Sequence, residues 1–326
     1  MGGPKGLDIG TNMIVMASVD DSGNPIVKMQ RDAFYRIIPK SEVNRSSIKM
    51  SLEKRGVNFI VDNTDFIVVG EDALDMAIER NDVAQRPLQK GVVSPKEKDS
   101  LPMLKLIIEN LIGKGNGKDK LIYSVPGKPI DSDFDIIYHT EIMGMYLSEM
   151  GYRSQPINEA FAIALSELLN IDDDDDSDQL TGMAISFGAG TSNTVIVYGG
   201  DPLIEFSLTR SGDYIDQSVG KALDISPSIV QKEKEAGVDL INPTGKIMEA
   251  VSVYYRSVIS YTLKNISYEL SKRYKDLPRF RKPVPIVVSG GLTMANGFER
   301  KVSEVLKSIE FPIKISDVIR AKEPMH

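Results

Sequence analysis

One short unit recurs in the two halves of this chain and restricts its fold more than any other feature. Near the start, Gly6-Leu7-Asp8-Ile9-Gly10-Thr11 runs into an apolar stretch at 14–19, and at mid-chain Ser186-Phe187-Gly188-Ala189-Gly190-Thr191 runs into one at 194–198. Both read as strand, glycine turn, strand. Glycine admits positive φ and lets backbone N–H groups come close to a ligand, and successive N–H groups in such a turn make a nest for an anion. Thr11 and Thr191 add hydroxyl donors. Either turn alone is equally an ordinary hairpin. One in each half suggests a pair that grips a polyphosphate from two sides. A third segment, Val287-Val288-Ser289-Gly290-Gly291, is a buried strand ending in two glycines before a helix from 295. It would let the backbone pass close to a flat ligand such as a nucleoside. Neither G-x-x-x-x-G-K-[ST] nor G-x-G-x-x-G is present, which disfavours the two commonest nucleotide folds.

The 326 residues suit two domains of ~150 residues each. With no cysteine, disulfides, thiolate metal sites and Cys nucleophiles are excluded. Histidine occurs only at His139 and His326, which leaves no material for a His-rich metal site or a Ser-His-Asp triad. Acidic residues outnumber basic ones, 46 to 39, for a net charge of −7, so nucleic acid is not expected as the main partner. No apolar run approaches the ~20 residues of a membrane span. The N-terminus carries no signal-peptide pattern, and a cytoplasmic protein without membrane insertion is the expectation.

Short β-rich runs alternate with longer helical ones, the pattern of an α/β protein. Strands are predicted at 6–8, 14–19, 59–61, 66–69, 121–125, 183–187, 194–198 and 286–289. Helices are predicted at 102–112, 132–150, 158–169, 212–223, 245–273 and 295–307. Asp131, Asp133 and Asp135 are expected as acids at the helix N-terminus after the 121–125 strand. Residues 114–120 and the Asp-rich 172–178 read as solvated connections.

In their order, the three glycine-bearing segments resemble the phosphate-1, phosphate-2 and adenosine motifs of the actin, heat-shock chaperone and sugar-kinase superfamily. The stretches between them extend the likeness. Val68-Val69-Gly70-Glu71-Asp72-Ala73 and Arg86-Pro87-Leu88-Gln89-Lys90-Gly91-Val92-Val93 are similar to the "VGEEA … RPLxDGV" region of prokaryotic actins. Ser124-Val125-Pro126-Gly127, the helix start at Pro156-Ile157-Asn158-Glu159-Ala160, and Thr209-Arg210-Ser211-Gly212-Asp213 also have counterparts. The resemblance covers nearly the whole chain and is nearest to the cell-shape and magnetosome bacterial actins. It implies two duplicated ribonuclease-H-like domains with a nucleotide cleft between them: 1–158 with an outer lobe at about 31–91, and 159–326 with an outer lobe at about 208–265. The closing C-terminal helix of relatives is expected to be absent. Lys322-Glu323-Pro324 would mark its approach, with a strand at 311–316 before it.

By position, the resemblance implies ATP or ADP with Mg²⁺ as ligands. Asp8 would orient the metal through water, with Gly10, Thr11 and Asn12 at the phosphates. Glu159 would align the attacking water, a role suited to a carboxylate that can accept its proton. Gly188, Ala189, Gly190 and Thr191 would form the second phosphate loop, with Gly212 and Asp213 beside it. Lys232 and Glu235 would flank the nucleoside, and Gly290, Gly291 and Leu292 would cover adenine or ribose. The chain departs from the pattern at three points. Ser186 and Asn193 stand where relatives carry acids, and Met13 replaces a small polar residue. Hard cations favour carboxylates, so weak metal coordination and slow hydrolysis are expected. The leading reading is a filament-forming actin that assembles head to tail with itself. A nucleotide-binding adaptor without catalysis is the second reading, and a small-molecule kinase of the same superfamily the third.

Overall fold

The computed structural model describes residues 3–20, 22–93, 99–170 and 180–322. The first half contains β1 (Lys5–Ile9), β2 (Met13–Val19), β3 (Pro25–Arg31), β4 (Phe34–Ile37), α1 (Glu42–Arg55), β5 (Phe59–Asp62), β6 (Asp65–Val69), α2 (Glu71–Glu79), β7 (Leu88–Gln89), β8 (Val92–Val93), α3 (Ser100–Ile112), β9 (Lys120–Val125), α4 (Ile137–Glu149) and β10 (Arg153–Asn158). The second contains α5 (Glu159–Glu167), β11 (Gly182–Phe187), β12 (Ser192–Tyr198), β13 (Asp201–Leu208), α6 (Gly212–Leu223), α7 (Pro227–Ala236), α8 (Gly245–Lys272), β14 (Val284–Ser289), a 3₁₀ turn at Gly291–Met294, α9 (Phe298–Leu306) and β15 (Ile315–Arg320).

Two five-stranded sheets repeat one topology. In the first, β1, β2 and β3 form an antiparallel meander, and β9 and β10 add in parallel on the other side of β1. In the second, β11, β12 and β13 form the meander, with β14 and β15 parallel beyond β11. Period-2 alternation then assigns the side chains. Leu7 and Ile9 enter a core with Ile108 and Leu147, and Asp8 between them points to the opposite face. Ile185 and Phe187 likewise enter a core with Ile259 and Phe298, which leaves Ser186 on the other side. Asp8 and Ser186 are therefore structural equivalents.

A separate three-stranded sheet, β4-β6-β5, packs with α1 and α2 around Tyr35, Leu52, Phe66 and Met76 and makes the outer lobe of the first half. In the second half the outer helices have no core of their own among the described residues. Val230, Val238 and Tyr255 share the core of the main sheet. Helix α5 lies on the second sheet through Ala160, Ala164, Ala184, Val195 and Val287.

Each predicted strand up to 286–289 is present, extended by one or two residues. Some boundaries require correction. The predicted helix 132–150 begins only at Ile137, because Asp131 is turned toward the other half. There it accepts the Thr209 N–H at 3.0 Å and the Tyr261 hydroxyl at 3.1 Å. Of the three acids expected at this helix start, Asp135 does accept a helix N–H, that of Ile137 at 2.8 Å. The helix predicted at 295–307 begins at Phe298, behind the left-handed Gly297. The strand predicted at 311–316 is displaced to Ile315–Arg320. Edge strand β3 is largely exposed and α1 buries only Leu52, so neither carried an amphipathic signal. The Asp-rich 172–178, His326 and the end of the Lys322-Glu323-Pro324 stretch lie outside the described residues. Among those described, no helix is long and apolar enough to cross a membrane.

Gly290 fixes the seam between β14 and β11. Its φ is +92°, and a Cβ there would lie 2.6 Å from the Phe187 carbonyl oxygen. Gly290→Ala is expected to cost on the order of 2–3 kcal/mol, read as a lower midpoint in urea unfolding.

Candidate functional site

The sheets face each other across a cavity of about 900 Å³, within the size range of small-molecule sites. Both glycine turns line it, as do Gly290, Gly291 and Leu292. The turns touch. The Gly91 N–H donates to Thr11 Oγ1 at 3.0 Å, and a Cβ on Gly190 would run into that same hydroxyl. Glycine at 190 is thus required by the close approach of the two halves, in addition to any use of its N–H group.

Carboxylates and their neutral partners form the floor. Asp8 accepts a short hydrogen bond from Ser124 Oγ. Glu159 is the first residue of α5, behind Asn158, whose side chain accepts the Phe161 N–H. One Glu159 oxygen accepts from Ser186 Oγ at 2.5 Å and the other from Asn193 Nδ2 at 2.7 Å. The orientation of the Asn193 amide is set by its other contacts. Its Oδ1 accepts the Gly127 N–H at 2.8 Å, and its Nδ2 also donates to Thr191 Oγ1 at 3.1 Å. Ser186 and Asn193 are register partners on adjacent strands. The two residues that depart from the acidic pattern are therefore the two that hold Glu159.

No ion pair to Asp8 or Glu159 occurs among the described residues. Burial pushes the Glu159 carboxyl up to about 8; the nearby Asp8 charge adds to this, and the Ser186 bond opposes it. Asp8 is raised as well, by burial, against the Ser124 bond. The site therefore lacks positive charge at the floor.

Positive charge lies where the first half's outer sheet region and α7 of the second half are tied together. Arg31 donates from Nε to Glu71 at 2.5 Å, from Nη2 to Glu235 at 2.7 Å and from Nη1 to Asn12 Oδ1 at 2.9 Å. Gln231 Nε2 donates to the same Asn12 oxygen at 2.9 Å, and Asn12 Nδ2 donates to Glu235 at 3.0 Å. Arg86 bridges to Asp213 at 2.6 Å and to Gln231 at 2.7 Å. The Asn12 side chain is thus committed to this cross-cleft network.

Most of the predicted residues converge here. Asp8, Gly10, Thr11, Asn12, Glu159, Gly188, Ala189, Gly190, Thr191, Gly212, Asp213, Glu235 and the 290–292 segment all line the cavity. Lys232 does not. It is exposed and pairs with Asp75 at 2.5 Å on the outer rim. The helical period explains the correction. Gln231, Lys234 and Glu235 are spaced i, i+3, i+4 on one face of α7, and position 232 is off that face. Of the two α7 lysines, Lys234 lines the cavity, and it pairs with Asp216 at 2.8 Å. Sequence reasoning also missed Arg31, which had no local signal. Arg86 lay within a quoted motif without a role assigned to it.

The chain matches the volactin family over residues 4–326. It belongs to that family. No curated protein matches it. Among solved structures it is similar to a MamK double helical filament, at 18% identity and a TM-score of 0.68, covering 98% of this chain and 94% of the other. MreB5 of Spiroplasma citri bound to AMPPNP is similar at 16% identity and a TM-score of 0.66, covering 98% and 91%. The ethanolamine utilization protein EutJ of Carboxydothermus hydrogenoformans is similar at 15% identity and a TM-score of 0.54, covering 99% and 87%. The volactin described here therefore has the two-domain α/β fold of the actin-like ATPases, each domain ribonuclease-H-like, with the cleft between them.

The Glu159 carboxyl yields a pH prediction. Its ordinary value of 4.5 is raised to about 8 in the folded chain. The native state then holds a proton that the unfolded chain releases. Its contribution is complete below about 4.5 and is lost as pH rises through about 8. Without nucleotide or divalent cation, the parent should lose stability between pH 6 and 9, whereas Glu159→Gln should change far less over that window in urea unfolding.

Proposed function

We propose that this volactin is an ATP-binding actin-like protein that assembles head to tail with itself, is switched by nucleotide, and hydrolyses ATP slowly. The observation that carries the reading is the pair of touching glycine turns, one from each half, over the half-buried Asp8 and Glu159. Solved structures of similar fold, MreB5 bound to AMPPNP and to ADP, support nucleotide as the ligand class. The MamK filament supports self-association. Gly10, Thr11, Gly188, Ala189, Gly190 and Thr191 would cradle the phosphates. Gly290, Gly291 and Leu292 would lie along the nucleoside. Lys234, rather than Lys232, is the α7 lysine placed to act beside it.

Mg²⁺ fits this floor. Two half-buried carboxylates without a basic partner among the described residues suit a cation, although those residues contain no cluster of three or more potential ligands that would cage one. Asp8 would hold it through water, and the phosphates would supply further oxygens. When bound, the ion offsets the charge of the phosphate chain. In its ionised form, Glu159 would hold a water at its carboxylate and accept its proton. With no carboxylate at 186 or 193, turnover is expected well below the ~10 s⁻¹ of a median enzyme.

Calorimetry should show saturable ATP binding, and sedimentation should bring the protein into the pellet with ATP but not without nucleotide. In single-turnover assays, Ser186→Asp should hydrolyse ATP about tenfold faster, the effect of one ~1.4 kcal/mol transition-state interaction. An unchanged rate would remove the explanation for slow turnover. A second reading, a non-polymerising nucleotide-binding adaptor, is favoured by the neutral Ser186 and Asn193. ATP binding without sedimentation or turnover would select it.

A further inference from the structure

Glu159 is held by uncharged groups at both oxygens, and the holders are themselves held. Ser186 reaches one oxygen at 2.5 Å and Asn193 the other at 2.7 Å. Asn193 is fully buried and its amide cannot be turned over without loss. The Gly127 N–H needs an acceptor and Thr191 Oγ1 already takes an Nδ2 proton. Ser186 is buried between Asn193 on one neighbouring strand and Ser289 on the other. A carboxylate at either position would face the Glu159 carboxyl at hydrogen-bonding distance, and once both are ionised no proton is left between them. Two like charges so close in a buried site repel strongly unless a cation or proton lies between them.

We propose that Ser186 and Asn193 are positioning residues that preorganise Glu159 without a bound cation, so that the cleft floor of this volactin is built before a divalent ion arrives. The inference rests on the reading of the cleft as a phosphate clamp in which Glu159 faces the reacting end. It adds that the neutral pair replaces a structural requirement for metal.

The test is thermal unfolding at about pH 9, where both carboxyls are ionised, in the absence of nucleotide and with EDTA or with millimolar Mg²⁺. The parent should melt at the same temperature in both, within about 1 °C, and Asn193→Asp should melt lower in EDTA and recover by about 5 °C in Mg²⁺. Asn193→Ala, which removes the donor without adding charge, should lose stability and gain nothing from Mg²⁺. Adding Glu159→Gln to Asn193→Asp should abolish the Mg²⁺ response, because the repelling partner is gone. If Asn193→Asp does not fold, Ser186→Asp carries the same expectation. A parent stabilised by Mg²⁺ as much as the acid variants would overturn the proposal. Acid variants that respond no more than Asn193→Ala would do so as well. These arms contain no nucleotide, so their failure is separate from a failure of ATP to bind in calorimetry.

Discussion

The side chain of Asn193 is where the two halves of the molecule are joined. A single amide accepts the Gly127 N–H from the first domain, donates to Glu159 at the head of α5, and donates to Thr191 in the second glycine turn. A buried amide is tolerated when its donors and acceptor find partners, and here each partner belongs to a different functional part. The crossing segment that begins at Gly127 is bound further along β13. Ser207 Oγ donates to the Gly127 carbonyl at 2.8 Å, and Asp131 receives Thr209 and Tyr261. The relative placement of the turns, the floor and the crossing follows from this small set of hydrogen bonds.

Charge is separated within the cleft. Acceptors and half-buried carboxyls occupy the floor, while guanidinium groups and their acidic partners lie where the first half's outer sheet region meets α7. Arg31 is almost fully buried yet is shared between Glu71 in one lobe and Glu235 in the other. Removing Glu71 or Glu235 would leave the buried Arg31 guanidinium with fewer partners. The floor depends instead on neutral donors.

The local chemistry of the site was legible in the sequence. Glycine turns, the Asp8 position and the strand ending at Gly290-Gly291 are set by residues within a few positions of one another, and strand alternation places their side chains. Contacts made at long range left no such trace. Arg31 meets Glu235 across 204 positions, and nothing near either residue announces the other. Lys232 shows how narrow the margin is on a helix. Each residue turns the side chain by about 100°, so a shift of two positions separates a rim residue from one that lines the cavity. Asp131 reads locally as a helix-start acid, and its real partners arrive from the second domain. The substitutions at 186 and 193 were visible as missing acids. Their use as donors to Glu159 required the register of β11 against β12.

The two halves are tied together at separate places by different chemistry. At the crossing, Gly127 and Asp131 meet Asn193, Ser207, Thr209 and Tyr261 through amide, hydroxyl and carboxylate groups. At Arg31, a guanidinium group spans from Glu71 to Glu235. A single substitution therefore unties the halves at one place and leaves the other tie intact.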